Sequence, residues 1–206
     1  MTPAPDDTPL TFDPETHTYT LDDLTVPSVT EVLRGAGLIA GSAYADTRAL
    51  ARGTAVHSAC HYLDEGDLDE ASVSREIEPY VRAYRRFLAD SGFKVGEIER
   101  RVWSRLHGFA GTLDRTGELC GRQVLFDIKS GPAEEWHSAQ LGGYAIALAE
   151  SCGLRVVSRF CLHLAADGKF SIREYHAPDS HRQFLAALAA WRQHGHCNSG
   201  LAASRA

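Results

Sequence analysis

The sequence predicts an α/β protein in which helices pack against one central sheet. Three consecutive runs between about residues 96 and 130 alternate apolar and polar residues, the period of strands, while the segments on either side space apolar residues three and four apart. The resulting order is helices, βββ, α, ββ, α, which suits a sheet with helices on its faces. At 206 residues the chain is long enough for one domain with a substantial core.

Each element has a local reason. "LTFDPETHTYTL" alternates around Asp-Pro-Glu and predicts a small hairpin within a lead-in of residues 1–26. "VPSVTEVLRGAGL" opens a short helix with Ser28 as N-cap and Glu31 three residues on, a capping box. A helix is expected from about Asp46 to Asp64, then an acidic connector. The next helix lies around "IEPYVRAYRRFLADSG" and is closed by Gly92. "GEIERRVWSRL", "FAGTLDRTGEL" and "RQVLFDIKS" read as antiparallel strands with "HG" and "CG" near the turns. A helix at "AEEWHSAQLGGYAIALAESCG", a second hairpin around "DG" and an amphipathic helix at "SHRQFLAALAAWRQHG" complete a domain of residues 27–196. Residues 197–206 read as a flexible tail.

Composition excludes several classes. No apolar run approaches the roughly 18 residues of a membrane span, and "MTPAPDDTPL" has no signal-peptide core, so a cytoplasmic protein with no membrane association is expected. Cys60, Cys120, Cys152, Cys161 and Cys197 contain no CxxC pair, which argues against a zinc ribbon or a disulfide framework. The net charge of −6 argues against a non-specific nucleic-acid coat, while "VRAYRRF" and "ERRVWSR" leave room for a local basic groove.

Strands are depleted in Asp, yet "GTLDRTGELCGRQVLFDIKSG" carries Asp114, Asp127 and Lys129 in one hairpin. In an unbulged hairpin centred between Cys120 and Gly121, Asp114 lies opposite Asp127. Lys129 shares that face, and Phe126 and Ile128 point away. Opposed like charges destabilise a sheet, so a cation is expected between them. A preceding turn centred on His107 and Gly108 pairs Glu99 with Thr116, diagonal to Asp114. Three carboxylates on one face suit a hard divalent ion such as Mg²⁺ or Mn²⁺.

Two further features need a use. His57 and His61 lie one turn apart, with Glu65 a turn further, a spacing that could instead hold zinc. Gln140 and Tyr144 share a helix face, and the glycines between them, Gly142 and Gly143, suggest close backbone approach to the sheet or a ligand.

Assembled, "RGTAVH", "IERRVW", "GTLD", "DIK" and "QLGGY" resemble the RecB-like branch of the PD-(D/E)XK nuclease superfamily, in order and in placement on strands and helices, from about Pro27 to Tyr144. Singly each motif is common; five in order are not. "VPSVTEVL" is similar to the lead-in of mitochondrial and phage-type exonucleases of that branch. The resemblance implies a restriction-endonuclease-like core, a central mixed sheet of αβββαβ type with an N-terminal helical extension.

It also implies roles. Asp114, Asp127, the Ile128 carbonyl and His57 would hold the metal, and Glu99 a water or second ion. Lys129 would activate or position the attacking water, and Gln140 and Tyr144 would position the lysine or the substrate strand. Arg52 and Arg101 would contact substrate. The implied activity is metal-dependent DNA hydrolysis, as an exonuclease on single strands or ends, of the kind used in DNA repair and recombination. Leu113 stands where the superfamily often has Pro, and Asp127 where Glu is common. The cysteines of iron–sulfur members are missing, so no iron–sulfur cluster is expected. No helicase motif accompanies the domain, so a helicase or recombination partner would be a separate chain. The competing reading is a catalytically silent nucleic-acid-binding subunit on the same fold.

Overall fold

A computed structural model describes residues 9–39 and 47–194; the expected tail and the first residues of the lead-in lie outside these. The central sheet has five strands in sequence order: β4 (Lys94–Ser104), β5 (Phe109–Leu119), β6 (Arg122–Lys129), β7 (Ser158–Leu164) and β8 (Phe170–Tyr175). β6 and β7 run parallel and the other pairs antiparallel, so the sheet is mixed. The parallel pair needs a crossover, and α4 (Trp136–Cys152) supplies it. This α/β arrangement is consistent with the restriction-endonuclease-like fold that the motifs imply.

The lead-in is more built than a single hairpin. β1 (Leu10–Asp13), β2 (Thr18–Leu21) and β3 (Leu24–Val26) form a small antiparallel sheet. It packs Leu10, Tyr19 and Val26 against Ala110 of β5, and the Tyr19 hydroxyl meets Thr112 Oγ1 at 2.8 Å. Then α1 (Val29–Gly35) starts on the expected capping box: Ser28 Oγ accepts from the Glu31 amide at 3.1 Å, and Glu31 accepts from the Ser28 amide at 2.7 Å. α2 (Thr47–Glu65) and α3 (Glu78–Ser91) flank a connector containing a 3-10 turn at Glu70–Ser72. Gly92 ends α3 in the left-handed region at φ 65°.

Alternation along β6 distributes its side chains to two cores. Val124, Phe126 and Ile128 join Val56, Cys60, Tyr84 and Phe87 from α2 and α3, and the Phe126 ring lies 4.7–5.1 Å from those of Phe93, Phe160 and Phe87. Truncating Phe126 to Ala would cost about 3–5 kcal/mol. Leu125 points to the other face, into a cluster with Val29, Leu141, Leu148 and, from α5 (Asp179–Gln193), Phe184.

The expectation for Gly142 and Gly143 needs correction. They approach neither the sheet nor a ligand site but α5: a Cβ on Gly142 would lie 2.0 Å from the Ser180 carbonyl oxygen, and one on Gly143 2.8 Å from the Phe184 ring. Two bare positions let α5 seat directly on the α4 backbone. No described helix is long and apolar enough to cross a membrane.

Candidate functional site

The β5–β6 ladder runs from Leu119↔Arg122 to Arg115↔Phe126. One step further the same register brings Asp114 level with Asp127, as the hairpin arithmetic requires. There backbone pairing stops, and Asp114 Oδ2 accepts the Ile128 amide instead, at 2.7 Å. Alternation also breaks at this point. Leu113 packs with Phe109 on the α4 side, whereas Arg115 turns to Asp64 of α2, although residues two apart on a regular strand share a face. Asp114 therefore sits where β5 changes face, which aims its carboxylate at the end of the sheet.

The β4–β5 register corrects the position of Glu99. The pair Ser104↔Phe109 centres the turn between Leu106 and His107, one residue earlier than expected, and the pairs Arg100↔Leu113 and Ile98↔Arg115 bracket Glu99 against Asp114 rather than Thr116. A bulge between Val95 and Ile98 absorbs the extra residue. Glu99 itself drops out of the ladder at φ 48°, a left-handed conformation that for a non-glycine residue costs on the order of 1–3 kcal/mol. The strain brings its carboxylate beside Asp114 instead of diagonal to it.

His57 completes the cluster from α2. Its Nε2 lies 2.9 Å from the Ile128 carbonyl oxygen and its Nδ1 3.5 Å from Asp114 Oδ2. Ligand atoms of His57, Glu99 and Asp114 all fall within 4.8 Å of one another. A carbonyl only accepts, so Nε2 carries the proton. Nδ1 then turns its lone pair toward the Asp114 carboxylate, so both present donor electrons to the space between them. Glu99 is held above the usual carboxylate range by burial first and by the Asp114 charge second. One imidazole and two carboxylates brought this close form a donor set that fits a divalent ion.

Asp127 lies apart from this trio, contrary to the expected ligand set. Its carboxylate is 2.6 Å from Lys129 Nζ and almost wholly buried. Burial raises the Asp127 pKa, with Lys129 opposing. Burial alone would lower that of Lys129, but the charges of Asp127 and Asp114 outweigh it and raise it. α4 fixes this pair: Gln140 Oε1 accepts from Lys129 Nζ at 2.9 Å, Gln140 Nε2 donates to the Tyr144 hydroxyl at 3.3 Å, and the Trp136 ring centre lies 5.2 Å from the ammonium. Gln140 and Tyr144 are buried, so they brace the lysine and present no open face to a nucleic-acid strand.

His57 and Glu99 open onto a cleft of ≈ 730 Å³, also lined by Leu50, Gly53, His61 and Tyr62. The other expected contacts lie elsewhere. Arg52 lines a separate depression with Arg48 and Glu76, and exposed Arg101 stacks over Phe12 at 5.1 Å. His61 pairs with Glu65 at 3.3 Å while His57 turns to Asp114, so the alternative histidine–glutamate zinc group does not assemble. Arg82, Arg85 and Arg86 of "VRAYRRF" pair with Glu78, Glu70 and Asp90 on an exposed surface, a solvated face rather than a bare basic groove.

Two groups of interior side chains, one of them reaching partly exposed His163, escaped the sequence reading. Arg115 Nε bonds Asp64 Oδ2 at 2.6 Å, its Nη1 donates to the Asp114 carbonyl at 2.7 Å, and Tyr84 donates to Asp64 at 2.8 Å. The guanidinium thus supports the backbone of Asp114, and it lies 3.5 Å from Glu99. The second group is His137, Cys161 and His163, whose ligand atoms lie within 4.8 Å of one another. Cys161 and His163 stand two apart on a strand, which signals a shared face. Nothing in the sequence pairs that strand with β6.

No protein-family model matches the chain, and no curated protein does. Among solved structures it is similar to a candidate exonuclease of Eubacterium rectale at 15% identity, covering 69% of this chain and 64% of that one, under two thirds of its length, with a TM-score of 0.43. It is similar to LHK-Exo, an alkaline exonuclease from Laribacter hongkongensis, in complex with dAMP; that likeness has 14% identity, covers 82% of this chain and 86% of that one, and has a TM-score of 0.45. A phage-related exonuclease from Haemophilus somnus 129PT is similar at 11% identity, over 82% of this chain and 92% of that one, with a TM-score of 0.41. All three likenesses are distant.

Proposed function

We propose that this protein is a divalent-metal-dependent nuclease that hydrolyses DNA phosphodiester bonds, as an exonuclease on single strands or ends. The observation that carries the reading is the cluster of His57, Glu99 and Asp114 within 4.8 Å, open on a cleft and backed by the buried Asp127–Lys129 pair. The choice of DNA follows the RecB-like motifs.

A Mg²⁺ or Mn²⁺ ion held by His57, Asp114 and Glu99 would polarise the scissile phosphate and acidify an attacking water. The chain's own groups do the rest. Asp114 is pre-oriented by the Ile128 amide and His57 by the Ile128 carbonyl, so neither ligand reorganises at the moment of reaction. The Lys129 ammonium, held by Asp127 and Gln140, supplies fixed positive charge for the anion that develops at phosphorus or for orienting the water. Asp127 offsets that charge and holds the ammonium in place at 2.6 Å. Arg101, exposed over the Phe12 ring and outside the cleft lining, would meet a phosphate only of a strand that runs beyond the cleft.

Incubating end-labelled single- and double-stranded DNA with Mg²⁺, Mn²⁺ or EDTA tests the reading. Release of mononucleotides that EDTA stops is the expected result. DNA binding with no cleavage under any metal would identify a silent binding subunit instead.

A further inference from the structure

We propose that His137, Cys161 and His163 form a second metal site, for a thiophilic divalent ion of the zinc class. The parallel register sets Asp127 beside Cys161 and Lys129 beside His163, so the β7 pair lies on the same sheet face as the DIK residues. α4 adds His137, one turn before Gln140. His137 is 2% exposed and Cys161 0%, so these donors lie inside the protein rather than on a solvated surface.

The observation that calls for a ligand is on His163. Its Nδ1 lies 3.1 Å from the Gly131 carbonyl oxygen, which only accepts, so Nδ1 carries the proton. Nε2 then presents a lone pair, and that atom is buried with no hydrogen-bond partner. A ring nitrogen oriented by a carbonyl on its far side is the usual arrangement of a metal-binding histidine. Two imidazoles and a thiol favour zinc over magnesium, which takes oxygen ligands.

Binding would release the Cys161 thiol proton to solvent and leave a metal–thiolate bond. Ligation of His137 through Nε2 would move its proton to Nδ1 and break the 3.3 Å contact with the Glu134 amide, which lies in the exposed loop before α4. Three protein ligands leave one tetrahedral position for a small molecule or for Asp127, whose Oδ2 lies 3.9 Å from Cys161 Sγ. Occupancy would tie α4 to β7 beside the Asp127–Lys129 pair. The three protein donors are distinct from His57, Glu99 and Asp114, so the site survives failure of the nuclease reading.

Titrating chelator-stripped protein with Co²⁺, then displacing it with Zn²⁺, tests this. One equivalent should bind with a near-ultraviolet thiolate-to-cobalt band, and Zn²⁺ should raise the unfolding temperature. Cys161→Ala should remove the band and weaken Zn²⁺ by at least about 10–100-fold, the scale lost when even a supporting group of a metal site is removed. His163→Gln, at a partly exposed position, should weaken Zn²⁺ comparably in a folded protein, and Asp114→Asn should leave band and affinity unchanged. Absence of the band in wild type, its persistence in Cys161→Ala and His163→Gln, or loss of Zn²⁺ binding in Asp114→Asn alone would each overturn the proposal.

Discussion

The Asp114 carboxylate accepts the Ile128 amide at 2.7 Å, so a side chain makes the rung where the β5–β6 backbone ladder ends. The same oxygen faces His57 Nδ1 at 3.5 Å. One group therefore ties the hairpin together and organises the metal cluster, and the two duties are separable by substitution.

Asp114→Asn keeps an oxygen that accepts the Ile128 amide while removing the charge. It should fold, be at least as stable as wild type without metal because repulsion with Glu99 is relieved, and lose Mn²⁺ binding and cleavage. Asp114→Ala leaves the buried amide unsatisfied and should lose about 1–3 kcal/mol. Urea unfolding of both variants in EDTA decides this; equal stability of the two would remove the structural duty.

Glu99 carries a pH signature. Its pKa in the folded protein lies above the ordinary value of 4.5, so over that window the folded state binds a proton that the unfolded state does not. Its contribution to metal-free stability is full below about pH 4.5 and is lost as pH rises through the folded value. Asp64 and Asp127, also raised by burial, act in the same direction. Glu99→Gln should flatten the decline of stability between acid and neutral pH, raise metal-free stability at pH 7, and weaken Mn²⁺ roughly tenfold or more. An unchanged pH profile in EDTA would remove Glu99 from the coupled cluster.

Much of this site was legible because a hairpin turn fixes register. "ELCGRQ" sets the Asp114–Asp127 level, and period two puts Phe126 and Ile128 in the opposite core. What failed was local irregularity. The turn closes one residue earlier than "HG" suggests, and neither that shift nor the left-handed Glu99 leaves a mark in the residue pattern, so the sequence pairs Glu99 with Thr116 where the structure sets it level with Asp114. The glycines of α4 signalled a close approach but not the approaching element, because α5 is a tertiary partner. Likewise, His137 joins Cys161 and His163 only through the parallel β6–β7 pairing, a long-range choice that α4 makes possible and spacing does not encode.

The α4–α5 seat yields a stability test against helix propensity. Ala exceeds Gly in a helix interior by about 1 kcal/mol, yet a Cβ at Gly142 would lie 2.0 Å from the Ser180 carbonyl oxygen. Backbone cannot swing aside as a side chain can, so Gly142→Ala should be destabilising by about 1–3 kcal/mol. A lowered urea midpoint with an unchanged m-value is expected. A stabilised variant would mean α5 does not rest on α4 at this point.

The Asp127–Lys129 pair should behave as a buried charge pair. Lys129→Met leaves Asp127 almost fully buried without its cation and should cost about 3–5 kcal/mol. Adding Asp127→Asn removes the stranded charge, so the double variant should recover much of that loss, a coupling readable from a double-mutant cycle. Additive losses would show that the 2.6 Å contact contributes little.

Gln140 offers the sharpest separation of positioning from chemistry. It touches Lys129 Nζ at 2.9 Å and the Tyr144 hydroxyl at 3.3 Å, is buried, and does not line the cleft. Lys129→Ala should lower turnover by roughly 10² or more, the scale of one positioned electrostatic group. Gln140→Leu keeps the ammonium but frees it from α4, so turnover should fall by a smaller factor, roughly tenfold, with KM little changed. Gln140→Glu retains an acceptor for Lys129 and should recover part of the loss, which a purely structural defect would not allow. DNA binding measured in Ca²⁺ should be near wild type in all three, because Gln140 is buried and the Lys129 charge is already paired with Asp127. If Lys129→Ala instead kept full turnover and weakened DNA binding more steeply as salt rose, the ammonium would be a phosphate contact, and the assignment of "DIK" to the chemical step would fall.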